Sequence, residues 1–208
     1  PFHPGRLSPA FAPIPMAKAL SYKFCFGPWN ISEGQDPYGP PVRQPQTFDW
    51  KLAQLKQHGF DAMMFHDDDA VPNLDGKSAK QIAKEARELK KRLDGLGIAA
   101  EMVAPRLWFH PNTVDGAYTS NDPKCRAYAI ERSKICIDIA NELDTDLIVL
   151  WLAREGSYIR ESKNARRAVD QLVTAFDAKQ YLAVLAMRPR VRVALDQIST
   201  SAFASPEL

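Results

Sequence analysis

Between residues 61 and 72 an apolar run, Ala62-Met63-Met64-Phe65, breaks off at a histidine and three consecutive carboxylates, His66-Asp67-Asp68-Asp69, and Pro72 closes the turn. A histidine changes charge near neutral pH, and among carboxylates it has the makings of a proton-handling group. The apolar half has the length of a buried strand, which puts the polar half at that strand's carboxyl end. In α/β proteins that end is where chemistry is placed. Asp67 and Asp68 fit loop and helix-start polar groups better than ligands. A histidine after a strand can also serve only to tie down a loop, and that reading competes for His66.

Three tryptophans stand at comparable places: Trp29 after Gly27-Pro28, Trp108 in a long loop, and Trp151 at the end of an apolar run. Core packing is the competing reading for each. The remaining histidines are structural by position. His58 falls in a last helical turn, where it suits the dipole, His110 precedes a proline, and His3 lies in the N-terminal tail. Cys25, Cys125 and Cys136 lack CxxC spacing and are expected to be small buried residues in a reducing compartment.

These groups need a scaffold, and the periodicities supply one. Ser21 to Phe26 alternates as a first strand. Thr47 caps a helix over Phe48 to His58, with Phe48, Leu52 and Leu55 on one face and Gly59 as the stop. The His66 strand is second. Ser78 caps a helix to about Leu96, with Ile82, Ala86, Leu89 and Leu93 inward and a charged face in solvent. Ile98 to Val103 is a third strand. Lys124 to Glu142 is helical, with Cys125, Tyr128, Ile135, Ile139 and Ala140 as packing candidates. Leu147 to Trp151 is a fourth strand whose composition predicts burial on both faces. A helix over Asn164 to Asp177, which could continue past Lys179 to Met187, leads to a fifth strand from Val191 to Leu195, ending at Asp196.

Strands about 40 residues apart, each followed by a helix, predict parallel β/α units of the TIM-barrel type. About four and a half of the eight units of a full barrel are present, a partial (half) parallel β/α barrel. The expected organisation is a proline-rich extension over residues 1–20, the partial barrel over 21–198, and an irregular tail over 199–208; Met16 reads as a natural start. A net charge of +2 across 208 residues gives no reason to expect nucleic acid or membrane partners. No apolar run approaches the roughly 20 residues of a bilayer span.

Phe65-His66-Asp67-Asp68-Asp69 with Pro72, Phe24-Cys25-Phe26-Gly27-Pro28-Trp29 and Asp36-Pro37-Tyr38-Gly39 together resemble the short-chain class of xylose isomerase. So do Phe109-His110-Pro111, Asp115-Gly116-Ala117-Tyr118-Thr119-Ser120-Asn121-Asp122 and Trp151-Leu152-Ala153-Arg154-Glu155-Gly156. The resemblance runs from about Tyr22 to Leu195, with the motifs in the family's order. It implies a cytoplasmic, oligomeric TIM-barrel enzyme (a homodimer or homotetramer) that interconverts D-xylose and D-xylulose with Mg²⁺, Mn²⁺ or Co²⁺. Carried over residue by residue, His66 would bind the sugar's ring oxygen or O1 hydroxyl and assist ring opening, with Asp69 holding its imidazole in one tautomer. Trp29, Trp108 and Trp151 would line a slot for the carbon chain, Trp108 replacing a phenylalanine. Tyr38 would take the place of a phenylalanine that reaches into a neighbouring subunit.

Of the family's metal ligands, which lie at the ends of strands five to eight, this sequence offers only Asp196, in place of a glutamate. Ala104 replaces a hydroxyl-bearing substrate contact, and Ile198 stands at a lysine position. One carboxylate falls short of the roughly six oxygens a Mg²⁺-type ion takes. The expectation is therefore a truncated or divergent isomerase, inactive alone, with a non-catalytic self-associating half barrel that binds a sugar as the alternative.

Overall fold

The computed structural model describes residues 22–34, 40–152, 155, 162–177 and 192–196, with Asp177 and residues 192–196 described by backbone alone. Five strands, β1 (Cys25–Phe26), β2 (Ala62–His66), β3 (Ala99–Ala104), β4 (Leu147–Trp151) and β5 (Arg192–Asp196), form one sheet. Between them lie α1 (Phe48–Gln57), the single-turn α2 (Asp67–Ala70), α3 (Ala79–Leu96), α4 (Pro123–Glu142) and α5 (Ala165–Asp177). The strands lie side by side in sequence order and every pairing is parallel. This is a partial β/α barrel of the TIM type, as the spacing of strands and helices predicts.

Local chemistry sets the helix ends. Thr47 Oγ1 accepts from the Trp50 N–H at 3.2 Å to start α1. Ser78 and Gln81 form a reciprocal capping box at the head of α3. Gly97 ends α3 at φ +65°, a left-handed conformation in which a side chain would be strained. Ile82, Ala86, Leu89 and Leu93 form the buried stripe of α3. Each of the larger ones is worth roughly 1.5–3 kcal/mol of burial.

The core lies between the sheet and its helices. Met63, Phe65, Val103, Ile148 and Leu150 point into it and are essentially inaccessible, packed in one cluster with Leu52, Leu55, Leu89, Leu93, Ile137 and Ile139. The opposite face of the sheet carries Met102, Ala104, Val149 and Trp151 around a cavity.

Several expectations need correcting. β4 is not buried on both faces: Ile148 and Leu150 are buried, but Leu147, Val149 and Trp151 alternate with them and are half-exposed towards the cavity side. β1 is two residues long; just before it the Phe24 N–H donates to the Asp61 carboxylate at 3.0 Å while the Phe24 carbonyl accepts from the Asp61 and Ala62 N–H groups. Cys25 on that strand is exposed; only Cys136 is fully buried, and burial pushes its thiol pKa up. On α4, Cys125, Tyr128 and Ile135 are half-buried, while Arg132 and Ser133 occupy the inward stripe beside Ala129, Cys136 and Ile137. The proline-rich extension, Tyr38, the continuation of α5 beyond Lys179 and the tail lie outside the described residues.

Candidate active site

The parallel register sets His66, the last residue of β2, opposite Ala104, the last of β3. The chain then turns into α2, whose single turn is made of Asp67-Asp68-Asp69-Ala70. In that turn the Asp69 side chain folds back over the start: its Oδ2 accepts from the His66 backbone N–H at 3.1 Å and from the imidazole Nδ1 at 2.9 Å. Burial alone would raise the Asp69 pKa, but the hydrogen bonds from His66 and the charge of Arg106 outweigh it and hold the carboxyl below the ordinary range. An ionised carboxylate can only accept, so Nδ1 carries the proton, and in the neutral ring Nε2 then keeps its lone pair. Among the described residues Nε2 has no hydrogen-bond partner.

Two aromatic rings flank this imidazole, and a third extends the series. Trp29 lies tilted against it with ring centroids 4.2 Å apart, Trp108 meets it edge-on at 5.0 Å, and Trp151 meets Trp108 edge-on at 4.3 Å. Trp29 can fold back because Gly27 has no side chain: a Cβ there would stand 2.3 Å from the indole. With Met102, Ala104, Val149 and Arg106 these residues enclose about 360 Å³. The mixture of apolar walls and a few polar groups suits a small polar molecule with a hydrocarbon backbone. A larger cleft of about 570 Å³ lies on the helical side, lined by Phe48, Asp49, Glu85, Glu88 and Arg92 among others. Its charges include the Arg92–Asp49 pair and Glu85, which pairs with Lys77.

Two arginines that sequence reasoning passed over frame the carboxylates. Arg106 donates from its backbone to Asp67 Oδ1 at 3.0 Å, from Nε to Asp68 Oδ1 at 2.7 Å and from Nη2 to Asp69 Oδ1 at 2.8 Å. Arg132 grips Asp67 through Nε at 2.7 Å and Nη2 at 2.9 Å, and Asp67 is fully buried. Burial opposes the Arg132 charge, but Asp67 overrides it and raises the guanidinium pKa. Asp67 and Asp68 are thus anchors in the helical turn. The sequence carried one signal for Arg132, an arginine in the apolar stripe of α4, where a charge must have a partner. Arg106 gave none, because its partners lie 37 to 39 residues away across the sheet. Glu155, quoted within a motif but given no role, is buried and accepts from the Ala117, Tyr118 and Thr119 N–H groups, which fixes the loop after Trp108.

His66, Asp68 and Asp69 offer ligand atoms within 4.8 Å of one another, a spacing that could hold a metal ion. Three of their four carboxylate oxygens already accept hydrogen bonds, however, and the fourth, Asp68 Oδ2, lies 3.5 Å from Arg132 Nη2. Both Oδ1 atoms accept from Arg106, and Asp69 Oδ2 accepts from His66. The backbone of Asp196 ends β5, while its side chain and all of Tyr38 lie outside the described residues.

The family profile described as the xylose isomerase-like TIM barrel matches residues 52–204. This chain belongs to that family. Xylose isomerase of Thermus thermophilus is 35% identical over 153 residues, and that of Thermus caldophilus is equally similar. The match covers 72% of this chain but only 38% of either relative. Among solved structures, a D-tagatose 3-epimerase-like protein superposes with a TM-score of 0.54 at 14% identity, over 84% of this chain and 52% of the other. The IOLI protein with a bound zinc atom superposes at 0.50 and 17% identity, over 84% of this chain and 51% of that one. At such identities these two establish the fold alone. Among the described residues of this xylose isomerase-like chain, no helix is long and apolar enough to cross a membrane.

Proposed function

We propose that the cavity at the carboxyl ends of β2, β3 and β4 binds an aldose such as D-xylose and opens its ring, the first part of an aldose–ketose isomerisation. The observation that carries the proposal is the Asp69-held imidazole of His66 standing between Trp29 and Trp108 in the cavity wall. His66 Nε2 takes the proton of the anomeric hydroxyl. The C1–O1 bond becomes a carbonyl, the C1–O5 bond breaks, and O5 takes a proton from water. The imidazolium that forms is stabilised by Asp69, and neutral imidazole is restored when the proton returns to solvent. Trp29, Trp108 and Trp151 hold the carbon chain, and Tyr38 is assigned to the substrate-binding set on resemblance.

Hydride transfer between C1 and C2 in this family is expected to use Mg²⁺, Mn²⁺ or Co²⁺, and Asp196 is the one ligand candidate this sequence offers for that set. One carboxylate supplies only part of the roughly six oxygens that such an ion takes.

Mutarotation of α-D-xylose, followed by polarimetry, tests the proposal without any metal. Acceleration by the protein is expected, with quenching of tryptophan fluorescence by xylose. Quenching without acceleration would favour a sugar-binding module. Absence of both effects would overturn the reading. Xylulose formation with Mg²⁺ or Mn²⁺ added would show that the whole isomerisation is supported.

A further inference from the structure

We infer that Arg106 is a positioning residue that sets the tautomer of His66 through Asp69. The inference rests on the proton-handling role proposed for His66. Asp69 has two oxygens and three donors to satisfy. Arg106 Nη2 takes Oδ1 at 2.8 Å, which leaves Oδ2 turned towards the His66 backbone N–H and Nδ1. The guanidinium cannot drift, because its Nε is fixed on Asp68 Oδ1 and its own backbone N–H on Asp67 Oδ1. Asp67 is in turn clamped by Arg132 from the buried face of α4. A continuous series of charge-assisted hydrogen bonds therefore runs from the core through Arg132, Asp67, Arg106 and Asp69 to the imidazole. Its outcome at the cavity is a proton on Nδ1 and an acceptor at Nε2.

With Arg106 shortened to an apolar chain, the Asp69 carboxylate is free to rotate. The imidazole then has no fixed reason to keep its proton on Nδ1. Lysine would preserve one charge but could not span both carboxylates, since it lacks the planar fork.

The test is ¹⁵N NMR of the His66 imidazole in the sugar-free protein, for the wild type, Arg106→Met and Arg106→Lys, with circular dichroism as the check on folding. The wild type is expected to show one neutral tautomer, protonated at Nδ1. Arg106→Met is expected to show a mixture, and Arg106→Lys a mixture weighted towards the wild-type form. A wild-type ring protonated at Nε2 would overturn the inference whatever the variants do. So would an unchanged single tautomer in a folded Arg106→Met, or in Arg106→Lys should the methionine variant not fold. Because no sugar is present, these results stand apart from mutarotation. A shifted tautomer with no mutarotation in the wild type would leave Arg106 as the positioner and reject the ring-opening role.

Discussion

Asp69 Oδ2 accepts both the backbone N–H and the Nδ1–H of the same residue, His66, at 3.1 and 2.9 Å. One carboxylate oxygen thus closes the turn after β2 and orients the ring at its end. The structural and the chemical duties of the His66–Asp69 pair cannot be separated by sequence distance, only by experiment.

The pH dependence of stability provides one such separation. The folded Asp69 carboxyl titrates below its ordinary value, so the unfolded chain binds more protons as the medium is acidified. Its contribution is fully present above the ordinary carboxylate pKa of about 4. It is lost as pH falls through the lower folded value. Urea unfolding midpoints of wild type and Asp69→Asn are expected to differ at pH 7 and to converge towards pH 3. A constant gap would contradict the ionic role of Asp69.

Arg132 and Asp67 form a buried pair, the carboxylate fully enclosed and the arginine nearly so. Replacing Arg132 with Met leaves the Asp67 carboxylate without its main partner. The expected loss is about 3–5 kcal/mol by denaturant unfolding. A loss under about 1 kcal/mol, the range of exposed pairs, would show that the site does not depend on this anchor.

Gly27→Ala places a methyl group against the Trp29 indole. Overpacking of this kind costs typically about 1–3 kcal/mol, and the ring must move away from His66. A lower melting temperature, a shifted tryptophan emission and weaker quenching by xylose are expected. Wild-type quenching in this variant would show that Trp29 is not a wall of the sugar cavity.

Divalent cations test whether Arg106 already fills the His66–Asp68–Asp69 cluster. Cobalt titration of the wild type is expected to give no visible absorption band that depends on His66, while Arg106→Met gains one. A wild-type band removed by His66→Asn would contradict this and make the cluster a metal centre.

The sequence disclosed most where a structure is determined locally. Ser78 and Gly97 bracket α3 with a capping box and a left-handed stop, and both ends follow from those residues. The strand β4 has the predicted bounds, its start marked by the abrupt change from Asp146 to an aliphatic run. His66 at the carboxyl end of β2 was legible for the same reason. Arg106 was not, since its role depends on the pairing of β2 with β3, which aligns His66 with Ala104. Nor was the half-exposed face of β4 legible, because Leu147, Val149 and Trp151 are as apolar as their buried neighbours and only the cavity distinguishes them.

The most direct measurement is the rate of α-D-xylose mutarotation with wild type and with His66→Asn. General acid–base groups typically contribute 10²–10⁴-fold. The protein-dependent rate is therefore expected to fall by about 10²-fold or more in the variant, with xylose still quenching tryptophan fluorescence. An equal rate in both proteins would contradict the role of His66 in opening the sugar ring.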